Sequence, residues 1–218
     1  MTKDAVRARI EEIGIIPAVR VHSAADAVFA AETVAEGGIP IVELTMTVPG
    51  ALDVIRQLAN NHPNLVVGGG TVLDVETAQR CLDAGAHFLT SPGLAVDVVE
   101  FTVKHGTVVF PGALTPTEIV MAWKAGADLV KVFPASLLGG AGYVKALKSP
   151  FPHIPLIAAG GVNQHTASDY IRAGAVAVGI GRELIPAEAV ARRQSDWIRE
   201  LAGRFLKIVS ESRSLLAV

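Results

Sequence analysis

Lys131 and Glu43 are the side chains of this sequence best suited to covalent chemistry. Lys131 stands in Asp128-Leu129-Val130-Lys131-Val132-Phe133-Pro134, a run that otherwise reads as a strand buried on both faces. A lysine taken out of water there is pushed toward its neutral, nucleophilic form. The chemistry open to such an amine is attack on a carbonyl to form a Schiff base. The competing reading is a strand-end lysine whose stem packs while its charge reaches solvent. Glu43 lies in Ile41-Val42-Glu43-Leu44-Thr45-Met46-Thr47. Strand alternation puts Glu43, Thr45 and Thr47 on one face and Val42, Leu44 and Met46 on the other. A buried carboxylate is costly unless it is paired or functional. Glu43 therefore reads as an acid/base group or as the ion-pair partner of Arg20 or Lys131.

The elements that must hold these groups repeat along the chain. Helical patterns ending in Asp83-Ala84-Gly85-Ala86, Lys124-Ala125-Gly126-Ala127 and Arg172-Ala173-Gly174-Ala175 each lead into a short apolar strand, and the glycine suits the left-handed position that ends a helix. Strands are expected near 14–20, 39–46, 64–69, 87–90, 107–110, 128–133, 155–159 and 175–180. Helical patterns fall between them near 24–36, 50–61, 74–84, 94–104, 116–125, 140–148 and 164–173, with a last helix near 195–211 and an extra one near 3–12. Ser23, Asp74 and Asn163 are expected N-caps, and Thr115-Pro116-Thr117-Glu118 reads as a capping box. Eight alternating strand–helix units imply a parallel sheet closed into a (β/α)8 barrel with an extra N-terminal helix, one domain over 1–218. An open doubly wound sheet would carry a glycine fingerprint after its first strand, where this chain has Ala18-Val19-Arg20-Val21-His22.

In a barrel the reacting groups come from the C-terminal ends of the strands. By that rule Glu43 and Lys131 point inward near one mouth. Phe133 shares the face of Lys131 and would exclude water, or simply pack. Val66-Val67-Gly68-Gly69-Gly70-Thr71 ends in a hydroxyl after three glycines that permit close backbone approach, whether to a ligand or to neighbouring strands. Ser91-Pro92-Gly93 and Pro111-Gly112 read as rigid loop openings lining a pocket. Ala158-Ala159-Gly160-Gly161-Val162-Asn163 opens a helix, and Val178-Gly179-Ile180-Gly181-Arg182 ends the last strand. Glycine-rich turns there are the usual phosphate cradle of this fold, with backbone N–H groups, a helix N-terminus and Arg182 as the anion's partners. The alternative is that these glycines only shape turns.

Composition narrows the function classes. Lys and Arg number 19 against 21 Asp and Glu, for a net charge of −2, and no basic tract stands out, so nucleic acid is not an expected partner. Half the residues are hydrophobic and only 5% aromatic, which suits layered aliphatic packing rather than an aromatic binding surface. The single cysteine, Cys81, is expected to be a buried structural thiol. His22, His62, His87, His105, His153 and His165 are dispersed, so no metal site is expected. The N-terminal stretch is charged and amphipathic, and no apolar run is long enough for a bilayer. A cytoplasmic protein without a membrane partner is expected.

The motifs together resemble the class I 2-keto-3-deoxy-6-phosphogluconate (KDPG) / 4-hydroxy-2-oxoglutarate (KHG) aldolases. The resemblance rests on Val42-Glu43-Leu44-Thr45, Gly68-Gly69-Gly70-Thr71-Val72, Ser91-Pro92-Gly93, Pro111-Gly112, Lys131-Val132-Phe133-Pro134-Ala135 and Gly160-Gly161-Val162, in matching order and spacing along essentially the whole chain. It implies a metal-free lyase acting on a 2-keto acid through a lysine imine with no other cofactor, commonly as a homotrimer. By the same resemblance Lys131 is the imine-forming lysine, Glu43 the acid/base carboxylate, Thr71 the group that holds the keto-acid carboxylate, and Gly160 and Gly161 the phosphate turn. Thr47, Pro92, Phe133, Gly181 and Arg182, read from their places at the strand ends, complete the expected substrate-binding set. Some members have arginine where Thr47 stands and others carry one where Arg20 stands, so Arg20 is expected to take the carboxylate. Ala159 and Arg182 replace a frequent threonine and serine at the phosphate end. A 2-keto-3-deoxy-6-phosphogalactonate aldolase is an alternative, as is a phosphosugar isomerase or epimerase on the same barrel, which needs no lysine–glutamate pair. A non-catalytic phosphate-ligand binder or shell subunit is a third reading.

Overall fold

The structure, a computed structural model, describes residues 1–216; the last two positions of the expected 1–218 domain lie outside the described residues. A first helix, α1 (Lys3–Ile13), is capped by the Thr2 side chain and closed by Gly14 at φ 69°. The chain then alternates β1 (Ile15–Val19), α2 (Ala24–Glu36), β2 (Ile41–Thr45), α3 (Ala51–Asn61), β3 (Val66–Gly70), α4 (Val75–Asp83), β4 (Phe88–Thr90), α5 (Val96–Lys104), β5 (Val108–Phe110) and β6 (Gly112–Ala113). It continues through α6 (Pro116–Lys124), β7 (Val130–Val132), a 3-10 turn (Ala135–Leu138), α7 (Gly140–Lys148), β8 (Leu156–Ala159), α8 (Ala167–Arg172), β9 (Ala175–Ile180), α9 (Ala187–Ala191) and α10 (Ser195–Ser214).

All the strand pairs are parallel, in the order β5-β4-β3-β2-β1-β9-β8-β7-β6. The two ends of that order, β5 and β6, are consecutive in the chain and separated only by Pro111. They form one barrel stave in two pieces, so the expected eight strands are found as nine segments. The break has a physical cause: proline has no N–H to give the ladder. Its carbonyl still accepts from the Lys131 N–H at 2.9 Å, and Val109 accepts from the Asp128 N–H at 2.9 Å, which closes the barrel. The (β/α)8 architecture is therefore present, with α1 in addition. Every residue of β2 and β3 is buried, as expected for strands covered on both faces.

Local signals mostly act as read. Ser23 and Asp74 cap α2 and α4, and Thr115 and Glu118 form a reciprocal capping box at α6. Gly85, Gly126 and Gly174 have φ of 94°, 95° and 100°, in the left-handed region. Asn163 is a correction. It does not cap a helix over 164–173; its Oδ1 accepts from the N–H groups of His165 (2.9 Å) and Thr166 (3.2 Å), forming a turn, and α8 starts only at Ala167. The helices of α9 and the 3-10 turn were not expected, being too short to show a period.

The helix α1 lies across the N-terminal end of the barrel. It packs on β5 and β9, two separated staves of the cylinder, and buries Val6 and Ile10. Lys3 reaches the buried Asp128 at 2.9 Å, and Asp128 also accepts from the Val109 N–H at 3.0 Å. The other mouth is left for the loops that follow the strands.

Candidate active site

Lys131 and Glu43 meet inside the barrel. β2 and β7 face one another across the cylinder, with three staves between them in either direction. The Lys131 Nζ lies 3.7 Å from Glu43 Oε2, and the two side chains are 11% and 5% exposed. Lys131 does not snorkel to solvent. The amine is not isolated in an apolar wall either, because the Glu43 carboxylate stands beside it. The two readings of Glu43, functional carboxylate and ion-pair partner, are compatible in one geometry. The Phe133 ring centroid is 5.5 Å from the Lys131 nitrogen, so the ring stands over the amine.

The glycines of β3 favour the second of their two readings, close packing: they make room for the protein's own side chains. A Cβ at Gly68 would collide with the Phe88 ring, one at Gly69 would lie 2.8 Å from Cys81 Sγ, and one at Gly70 would collide with the Glu43 carboxylate. Gly70 sits opposite Thr45 in the ladder, two residues beyond Glu43. The carboxylate leans into the space that glycine leaves. Thr71, next along the chain, has φ 60°. A β-branched residue in the left-handed region is strained, and such strain is concentrated at functional sites.

The remaining candidates ring the same mouth. Gly112 is the ladder partner of Lys131, and a Cβ there would strike the Pro92 carbonyl, so the loop after β4 is packed down beside the lysine strand. Gly160 and Gly161 have φ of 86° and 82°. A Cβ at Gly160 would lie 3.1 Å from Phe133 Cδ2, and one at Gly161 would collide with the Ser136 hydroxyl. Ser136, whose N–H donates to the Gly160 carbonyl at 3.1 Å, is a site neighbour that the sequence reading passed over. Its signal was its position, five residues beyond Lys131 in the loop that follows β7. Gly181 and Arg182 follow β9, where the Gly181 carbonyl accepts from the Leu184 and Ile185 N–H groups, each at 3.0 Å. The expected helix N-terminus at this cradle is a correction: α8 begins six residues after Gly161 and has only six residues, which leaves the turn's own N–H groups and Arg182 as the candidates for an anion.

Arg20, Thr47 and Arg182 are exposed at the mouth. Among the described residues neither arginine is in an ion pair or a side-chain hydrogen bond, unlike Arg193, which pairs with Asp26 at 2.8 Å. Cys81 is fully buried, its thiol pushed up to about 12 by burial, and it donates to Met46 Sδ at 3.6 Å. That is the structural thiol expected. His87 is half-buried, with Nδ1 accepting from the Val67 N–H at 3.1 Å. Among the described residues no three His, Cys, Asp or Glu side chains gather as a metal-holding group, and no helix is long and apolar enough to cross a membrane.

This geometry agrees with what the chain is similar to. The KDPG and KHG aldolase family model matches residues 6–201, and the protein belongs to that family. A 2-dehydro-3-deoxy-phosphogluconate aldolase of Treponema pallidum is 33% identical over 200 residues, covering 92% of this chain and 95% of the relative. A KDPG aldolase structure from Legionella pneumophila, holding pyruvate as a covalent carbinolamine, superposes with a TM-score of 0.85 at 28% identity, covering 91% of this chain and 96% of that one. A solved structure described as native KDPGal also reaches 0.85 at 28% identity, with 92% and 96% covered.

Proposed function

We propose that the protein is a class I aldolase that cleaves a 2-keto-3-deoxy-6-phospho sugar acid, 4-hydroxy-2-oxoglutarate, or both, to pyruvate and an aldehyde. The observation that carries this reading is the buried Lys131 amine 3.7 Å from the Glu43 carboxylate inside the barrel. Lys131 Nζ adds to the C2 carbonyl, and loss of water gives an iminium. Glu43, directly or through a water, takes the C4 hydroxyl proton. The C3–C4 bond breaks; its electron pair flows into the iminium to form an enamine, and the aldehyde leaves. The enamine takes a proton at C3 from Glu43, and water hydrolyses the imine to release pyruvate and the free amine. The imine supplies the electron sink, so the reading calls for no metal or organic cofactor.

Thr71 and Arg20 hold the keto-acid carboxylate, with Thr47 beside them. Pro92 and Phe133 wall the reacting carbons. Gly160, Gly161, Gly181 and Arg182 hold the distal anion. The same reading, by family resemblance, makes the protein a cytoplasmic homotrimer, which sedimentation of the purified chain tests. An isomerase or epimerase on this barrel gives no role to the Lys131–Glu43 pair. A 2-keto-3-deoxy-6-phosphogalactonate substrate is the second reading, supported by the equal likeness to the structure described as KDPGal.

The test is incubation with pyruvate and borohydride, followed by peptide mass mapping. The wild type is expected to gain a reduced pyruvate adduct on Lys131, and Lys131→Met none. An unlabelled wild type, or a variant labelled as fully, rejects the proposal. Turnover of the two C4-epimeric phospho acids and of 4-hydroxy-2-oxoglutarate separates the substrate alternatives.

A further inference from the structure

The hydroxyl pair at the end of β2 restricts what Thr47 can bind. Thr45 is fully buried, and its Oγ1 lies 3.3 Å from the Val19 carbonyl oxygen and 2.8 Å from Thr47 Oγ1. A carbonyl can only accept, and a hydroxyl has a single proton. When both contacts are made as hydrogen bonds, Thr45 gives that proton to Val19. Thr47 is then the donor to Thr45, and its exposed oxygen offers the mouth of the barrel lone pairs only. A carboxylate is likewise an acceptor. Thr47 therefore cannot hold the keto-acid carboxylate while this chain of hydroxyls is intact. It can receive an N–H.

The cation placed to supply one is Arg20. It follows Val19 directly, and the register Ala18↔Glu43 and Val19↔Leu44, continued one residue past the end of β1, would set it beside Thr45 on the face that Glu43, Thr45 and Thr47 share. Resting on the proposed role of Arg20 as the carboxylate ligand, we infer that Thr47 is a positioning residue. Its oxygen accepts from the Arg20 guanidinium as that group turns over the mouth to meet the substrate. Thr45 anchors both halves of the arrangement, the carbonyl next to Arg20 and the proton of Thr47. A guanidinium has five N–H donors in a planar fork, so it can serve a carboxylate with two and still give one to Thr47. A threonine next to an arginine on the neighbouring strand thus does a different task from an arginine at its own position.

The experiment measures the pyruvate concentration for half-maximal borohydride trapping, with KM and kcat for cleavage, in Thr47→Val, Thr47→Ser, Arg20→Gln and the Thr47→Val/Arg20→Gln double variant. Thr47→Val is expected to raise the half-trapping concentration and KM by about tenfold, the size of one hydrogen bond to a charged group, and to leave kcat within about twofold, as for binding lost equally from ground and transition states. Thr47→Ser should restore wild-type values. In the Arg20→Gln background, Thr47→Val should change nothing further. An equal loss in both backgrounds would mean that Thr47 touches the substrate itself, and no loss in either would mean that it does nothing here; both overturn the inference while leaving the aldolase reading intact. A wild type that never traps pyruvate overturns both.

Discussion

At the scale of single residues, the site is defined by an amine and a carboxylate buried together inside the barrel. A buried ion pair is weak evidence for stability, because desolvation offsets much of the attraction. The Lys131–Glu43 pair is therefore better explained by use than by strength. Separating the roles of the pair is direct. Glu43→Gln keeps the shape and loses the proton acceptor. It should still form the pyruvate imine, since that step belongs to Lys131, while aldol cleavage slows by about 10²- to 10⁴-fold. Stopped turnover with intact borohydride trapping is the expected pattern; cleavage at the wild-type rate would remove Glu43 from the mechanism. Lys131 and Glu43 were both legible as inward residues from strand alternation. Their separation was not, because it depends on staves from opposite walls of the barrel.

At the scale of elements, the glycine run of β3 shows how one strand serves another. The sequence left Gly68-Gly69-Gly70 open between approach to a ligand and close packing of neighbours, and the groups found in the space are Phe88, Cys81 and Glu43. Period-two patterning names a strand's faces; it does not say which neighbour fills the gap. Gly70→Ala is therefore expected to do two things at once. The new methyl group displaces the Glu43 carboxylate, which should lower cleavage activity, and overpacking should cost about 1–3 kcal/mol of unfolding free energy. Urea unfolding and a turnover assay check the two effects. The link between β3 and β4 carries a pH signature. Burial pushes the His87 pKa down, and its Nδ1 must keep a lone pair for the Val67 N–H. The unfolded state then binds the proton more readily, so the contribution of His87 to stability is present at neutral pH and declines as pH falls below about 6.5. His87→Asn keeps an acceptor near Nδ1 without the titration. The urea midpoint of the wild type should fall more between pH 7.5 and 5.5 than that of the variant (values chosen about a unit either side of the unfolded His value); parallel curves would refute the assignment. Caps were the most legible features at this scale, because a cap is a contact between residues three apart. Asn163 misled for the same reason: a local turn and a helix start use the same side-chain bond.

At the scale of the whole molecule, closure and its fastening matter. The barrel closes through Pro111, and its far end is sealed by α1, held there by Lys3 on Asp128. The last helix completes the seal. Arg213 of α10 donates to the carbonyls of Glu11 and Val176, each at 2.7 Å, and to that of Glu12. One guanidinium thus ties the end of α1, β9 and the C-terminal helix together, at the end of the barrel opposite the reacting mouth. Arg213→Ala leaves those carbonyls without their donor. It should cost about 2 kcal/mol, lowering the melting temperature by about 4–8 °C, with pyruvate trapping at room temperature retained. Calorimetry and the trapping assay together test this; a melting temperature equal to that of the wild type would show that the tie is dispensable.

What the sequence by itself determined is local and periodic. Alternation of strand and helix, the glycines that end helices, the caps, the inward faces of the strands and the presence of a lysine and a glutamate on two of those faces follow from contacts between near neighbours and from the periods 2 and 3.6. Only the tertiary structure decided that the amine and the carboxylate face each other at 3.7 Å, that one stave breaks at Pro111, and that Gly70 makes room for Glu43. It also decided that the Thr45 hydroxyl lies 3.3 Å from the Val19 carbonyl oxygen on another strand and 2.8 Å from Thr47. These facts depend on the register between parallel strands and on the closing of the cylinder, which residues far apart in the chain set together and no local pattern records.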